Sequence, residues 1–271
     1  VLNNNGVIAI DMDENKEYVI LGKGVGFGKK VSQRFDKPEG CTTYRLEQET
    51  ERGSAKELVK GIEPEYLEIA DAILTESQKV FGDSIDRGIL FPLADHISFA
   101  VARIRRNEQI SNPLTEDIKV LFYSEFKVAE TLKTILRERL QIEIDDHEVG
   151  YVALHIHSAI GDEKVSVAMQ TARAVRECID MIEKATGKPI DVLSLSYNRL
   201  MNHMKYMVAR ASTGEKLNLD MNEYMLDQYP QAYKVATDIC KNLEGCIGHK
   251  LDETETGYLA MHIQRVYKDA V

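Results

Sequence analysis

No apolar run in the sequence approaches the roughly 20 residues that a membrane-crossing helix needs, so bilayer insertion is not expected. Cysteine is sparse. Cys41, Cys178, Cys240 and Cys246 match no zinc-ligand spacing, and a chain of 271 residues does not need disulfide staples. They read as free thiols in a reducing cytoplasm. Positive charge is in deficit, with a formal net charge of −10. That excludes a whole-surface attraction to nucleic acid or anionic lipid; any such contact has to be made by a local patch. Glycine-rich phosphate loops, G-x-S-x-G turns and zincin motifs are all missing. The opening VLNNNGVIAI has no basic stretch leading into a long apolar one, so no signal peptide is expected. A chain starting at Val1 rather than Met is expected to lack a few native residues.

What is present is ample core material. Apolar residues make up 44% of the chain, and its length suits two or three modest domains of roughly 100–200 residues each. The first fifty residues are written in short strands. VIAI (7–10) and EYVIL (17–21) are β-rich, polar DMDENK connects them, and YRLEQ (44–48) is a further candidate. From about Gly53 the pattern turns helical and stays so. Pro64 opens one helix; Asn112-Pro113 precedes a long segment, LTEDIKVLFYSEFKVAETLKTILRERL. Gly161-Asp162 precedes VSVAMQTARAVRECIDMIEKAT, which Gly187-Lys188-Pro189 ends.

The helical part repeats itself. LADHISFAVAR (93–103) aligns with LMNHMKYMVAR (200–210), and DHEVGYVALHIHSA (146–159) with ETETGYLAMHIQRV (253–266). KVA recurs at 127–129 and 234–236. All three blocks keep an offset of 107 residues without a gap. Chance accounts for one such block, not for three in a single register, so the period marks a duplicated domain. The expected architecture is multidomain: a small antiparallel β domain at 1–55, then two homologous all-helical domains at 56–163 and 164–271.

Each repeat retains two histidines, His96 and His155 in the first, His203 and His262 in the second. Imidazole, with an ordinary pKa of ~6.5, is substantially neutral and nucleophilic near neutral pH. A neutral ring nitrogen can attack a phosphoryl group and hold it as a labile phosphoramidate. That turns a neutral ring into a dianion-like group able to repel or dock a facing surface. A lone helical histidine is more often a hydrogen-bonded core residue; retention of both across a diverged duplication is what favours chemistry. Metal binding is a weaker reading, because His155 and His157, two apart on a helix, point to different sides, and Gln264 stands opposite His157. An enzyme using paired histidines would need a convergent carboxylate or metal constellation, which the sequence does not show. Neither cofactor nor resident metal is implied.

At the N-terminus, Asn3-Asn4-Asn5-Gly6 precedes the first strand and GKGVGFGKK (22–30) follows the second. Asparagine carries donor and acceptor together, glycine allows close backbone approach, Phe27 offers a stacking face, and Lys23, Lys29 and Lys30 offer phosphate contacts. Unpaired RNA bases are read by this combination. A glycine-rich hairpin with a core phenylalanine would look the same.

Taken together, NNN, G-K-G-V-G-F, D-H-I-S-F-A and A-L-H-I resemble the BglG–SacY–LicT family of transcriptional antiterminators, over nearly the whole chain and in that family's domain order. The resemblance implies a dimeric β-sheet RNA-binding domain followed by two regulation domains governed by the sugar phosphotransferase system. It implies a cytoplasmic homodimer that is not an enzyme. The dimer would bind an RNA hairpin in the leader of a sugar-utilisation operon, with β-glucoside a family-level guess, and prevent termination. RNA contacts then fall on Asn3, Asn5, Gly22, Lys23, Gly24 and Phe27, and phosphorylation on His96, His155, His203 and His262. A sugar permease and the phosphocarrier HPr are the implied phosphodonors, with opposite effects on the two repeats. Asp95 before His96, against Asn202 before His203, fits such an asymmetry. Lys23 stands where the family commonly has Arg, Gly28 where it has Gln, and Gly6 where it has an apolar residue. The basic residue usual before the first strand is absent. A DNA-binding activator with the same regulation domains would need a helix-turn-helix, where residues 1–50 read as strands.

Overall fold

A computed structural model describes residues 1–269 apart from 13, 15, 47, 48, 51, 52, 109, 162, 163, 188, 192 and 193. The end of the expected strand 44–48, and Asp162 and Lys188, lie outside the described residues.

Three antiparallel strands in the order β1-β2-β3 open the chain: β1 (Gly6–Asp11), β2 (Lys16–Leu21) and β3 (Thr42–Arg45). The pleat of the strands sorts the side chains of VIAI and EYVIL onto two faces. On one, Val7 stands opposite Ile20, and with Val25 they form a small core that Ala9, Phe35 and Cys41 close. On the other, Ile8, Val19 and Tyr44 form a row across the three strands. Tyr44 is buried there against Phe91, edge to face at 6.4 Å between centroids. A two-stranded ladder, β4 (Glu49–Thr50) with β5 (Gly53–Ser54), leads into the helices.

The helices of the first repeat are α1 (Ala55–Gly61), α2 (Pro64–Phe81), α3 (Leu90–Arg105), α4 (Thr115–Leu121), α5 (Tyr123–Ala129), α6 (Thr131–Leu140) and α7 (Asp146–Gly161). Those of the second are α8 (Val165–Thr186), α9 (Leu195–Thr213), α10 (Asn222–Gln228), α11 (Pro230–Ile247) and α12 (Glu255–Asp269). The sequence offset of 107 carries α4 onto α10 at both ends, and carries the start of α5 and the end of α6 onto the two ends of α11. Pro64 occupies the first turn of α2, and Gly187, at φ +69°, follows α8. There its amide donates to the Glu183 carbonyl over 2.9 Å, the left-handed ending that glycine permits.

The long segment after Pro113 is helical, as expected, and divides into three helices. Phe122 leaves helical geometry at φ −117°, ψ 47°. Beyond α5, the Thr131 hydroxyl donates to the Val128 carbonyl over 2.6 Å and competes with the backbone ladder. Packing explains the first break: residues Pro113–Tyr123 belong to a compact unit with Ser166–Val271, while Val1–Asn112 and Ser124–Val165 form the other. Within the former, Tyr197 of α9 is buried and its hydroxyl donates to Asp117 of α4 over 3.4 Å. No helix among the described residues is long and apolar enough to cross a membrane.

Candidate functional site

The four singled-out histidines come together in pairs. In the first repeat α3 supplies His96 and α7 supplies His155, with ring centroids 5.3 Å apart. In the second, α9 supplies His203 and α12 supplies His262, at 4.8 Å. Heptad-like spacing does the local work: Leu93, Ile97, Ala100 and Val101 bury one face of α3, and His96 lies on that face. Tyr151 and Tyr258, a turn before the second histidine of each pair, lie beside His96 and His203 at 5.7 and 6.2 Å. His157 is turned elsewhere and meets Glu125 at 2.9 Å, as helical spacing requires.

A buried carboxylate completes each pair. Glu148 stands 3.5 Å from His96 and is held by Arg103 at 2.8 Å. Glu255, only 1% exposed, stands 3.6 Å from His203 and takes a two-pronged ion pair from Arg210 at 2.6 and 2.9 Å. Glu148 with Glu255, and Arg103 with Arg210, are identical pairs across the repeat; retention of a charge of each sign at the same register is the sequence signal that points to them. The carboxylate this geometry brings to the first histidine of each repeat is therefore the same, Glu148 or Glu255.

The electrostatics favour uncharged rings in the second repeat. Burial first, then the charges of His262 and Arg210, pushes His203 down to about 3. Burial, then Arg265 and Arg199, pushes His262 down to about 4. Arg210 engages the charge of Glu255, so that carboxylate does not lift its neighbour. In the first repeat burial raises Glu148, but the nearby His96 and Arg103 outweigh it and hold the carboxyl below its ordinary value. Two stacked, neutral imidazoles are nucleophiles and can accept a phosphoryl group. Described residues form no group of three or more His, Cys, Asp or Glu side chains placed to hold a metal.

The N-terminal motifs also converge. The Gly26 amide donates to the Asn4 carbonyl and the Gly22 amide to the Asn5 carbonyl, both over 2.9 Å. The Asn5 side-chain oxygen accepts from the Gly24 amide over 2.9 Å, and that of Asn3 accepts from the Asn5 amide over 2.8 Å. Glycine is needed here for two reasons. Gly24 has φ +73°, and a Cβ on Gly26 would lie 2.0 Å from the Asn3 carbonyl oxygen. Gly22 packs on Cys41. Gly26 was not among the residues expected to matter. Phe27 is 74% exposed at the tip, which removes the core reading of this ring, and Lys23 is exposed beside it. The structure thus gathers Asn3, Asn5, Gly22, Lys23, Gly24 and Phe27 around one loop at the end of the sheet.

A small sheet with an exposed aromatic loop, followed by duplicated helical domains with paired histidines, defines a regulator built from an RNA-binding module and two histidine-bearing modules. A model of the CAT RNA binding domain matches residues 1–53, and a model of the PRD domain matches twice, at 71–159 and 176–266. The chain is 30% identical to the GlcA/glcB genes antiterminator of Staphylococcus carnosus, over 97% of this chain and 92% of that protein. It is 27% identical to the transcription antiterminator LicT of Bacillus subtilis, over 100% and 98% of the two chains. The crystal structure of GlcT CAT-PRDI superposes with a TM-score of 0.51 at 29% identity, covering 59% of this chain and 95% of that one. The chain belongs to the family of antiterminators that join a CAT RNA-binding domain to PRD domains.

Proposed function

We propose that this protein is a transcription antiterminator that binds an RNA hairpin in the leader of a sugar-utilisation operon and is switched by phosphoryl transfer to His96, His155, His203 and His262. The observation that carries the reading is the duplicated histidine pair, each with its own buried carboxylate and arginine. In the transfer, a ring-nitrogen lone pair attacks the donor's phosphorus. The new N–P bond forms as the donor's bond breaks, and the phosphoryl group moves with no other reactant. Its two negative charges then sit close to Glu148 or Glu255, a like-charge contact that costs most where water is excluded. The repeat must rearrange, and Arg103 or Arg210 is the cation at hand to follow the phosphate.

The domains we assign are 1–55 for RNA binding and 56–163 and 164–271 for regulation. HPr and a sugar permease are the phosphodonors that fit nucleophilic histidines, and the cytoplasm is the compartment that fits both. RNA binding rests on Asn3, Asn5, Gly22, Lys23, Gly24 and Phe27, and the protein's output is RNA binding, not turnover of a small molecule. A homodimer accounts for one feature of the sheet. Ile8 and Ile10, on edge strand β1, are 41% and 55% exposed on the same face on which Val19 and Tyr44 are buried. A second copy would cover them.

Terminator readthrough in a reporter strain tests the assignment of roles. His96→Ala or His155→Ala is expected to give activity without inducer, and His203→Asp or His262→Asp to keep or raise it. Full inducer dependence of His96→Ala would remove the first repeat as the inhibitory input.

A further inference from the structure

The same two asparagines that open the RNA-binding loop are held by the first repeat. Glu68 of α2 accepts from the Asn3 side-chain amide at 2.8 Å through one carboxylate oxygen, and from the Asn5 amide at 3.2 Å through the other. The acceptor oxygens of both asparagines are already used inside the loop, on the amides of Asn5 and Gly24. What each offers a ligand most directly is its NH2 group, and Glu68 takes one N–H bond from each. Hydrogen bonds to a carboxylate are roughly twice as strong as neutral ones. A carboxylate at this edge also repels the phosphate backbone on which RNA affinity depends.

Glu68 does not act as an isolated surface charge. One turn further along the same face of α2, Asp71 accepts from the Tyr44 hydroxyl of β3, and Arg87 bonds both, at 2.7 Å to the hydroxyl and 2.8 Å to the carboxylate. That second grip fixes the sheet on α2 and aims Glu68 at the loop. The Asp71 grip involves neither asparagine, so the Glu68 contact can open while the sheet stays docked.

We infer that Glu68 is a built-in competitor for the RNA site: its carboxylate engages the side-chain NH2 groups of Asn3 and Asn5, and RNA binds only when it withdraws. The inference rests on the reading of Asn3 and Asn5 as RNA contacts. It adds that the first repeat lowers RNA affinity through one side chain, directly at the site. A state in which the site is occupied binds ligand more weakly in proportion to its population.

The test uses the full chain and a labelled hairpin enriched from a random-loop RNA library on the wild-type protein. Glu68→Ala is expected to tighten binding at least about 5-fold, the low end of intramolecular coupling. Glu68→Gln, which keeps the shape and removes the charge, should give a smaller gain. Glu76→Ala, on the same helix but paired with Lys79, should give none. Arg139 lies 3.8 Å from Glu68, so the gain must persist in an Arg139→Ala background. Unchanged or weaker binding by both folded Glu68 variants, or a gain that vanishes without Arg139, overturns the competitor. The reading beneath it fails separately. If Asn3→Ala and Asn5→Ala in the Glu68→Ala background leave binding intact, the asparagines do not contact RNA at all.

Discussion

His203 and His262 lie ring to ring, 4.8 Å between centroids and 25° between planes. Two protonated imidazoles could not share that space, and burial holds both uncharged. The pairing therefore ties phosphoacceptor chemistry to acid sensitivity.

In the unfolded chain these rings protonate near pH 6.5; folded, they wait until about 3 and 4. The unfolded state thus binds more protons below pH 6.5, so their contribution is intact above that pH and is lost as pH falls towards 4. Between pH 7 and pH 5 the wild type is expected to lose about 1–2 kcal/mol more unfolding free energy than His203→Gln. Urea denaturation at the two pH values measures this. Equal losses would mean that His203 is not held neutral.

Arg210 bonds Glu255 through two nitrogens, whereas Arg103 bonds Glu148 through one and is more exposed. Removing the cation leaves a carboxylate buried without its partner. Arg210→Met should cost about 3–5 kcal/mol of stability, and Arg103→Met less. Thermal or urea unfolding checks the order; the reverse order would contradict it.

Phe27→Ala should leave stability within about 0.5 kcal/mol, as for other exposed positions. It should weaken RNA binding by about 1–3 kcal/mol through lost stacking. Gly26→Ala should do the opposite kind of damage: its new Cβ meets the Asn3 carbonyl. The loop then cannot close, and both stability and RNA binding fall. Fluorescence anisotropy with the enriched hairpin, beside a denaturation curve, separates the two. A Gly26→Ala protein of wild-type stability would refute the packing argument.

Much of this was legible in the residues. β-Branched side chains placed β1 and β2, Pro64 marked the start of α2, and Gly187 the end of α8. The duplication named all four histidines. The break at Phe122 was not legible, because its cause is the packing of α4 with the second repeat, which local helical preference does not contain. Nor was the link from Glu148 to Arg103, 45 residues apart, or from Glu68 to Asn3, 65 residues apart. Those residues looked like ordinary helix charges until the fold brought them to their partners.

The central claim is that four of the seven histidines are phosphoacceptors. It is tested most directly by mapping phosphohistidine on the full chain after incubation with phosphorylated HPr and, separately, with a phosphorylated sugar permease. The account predicts acid-labile phosphate confined to His96, His155, His203 and His262. Phosphate only on His147, His157 or His249, or on no histidine under either donor, would contradict it.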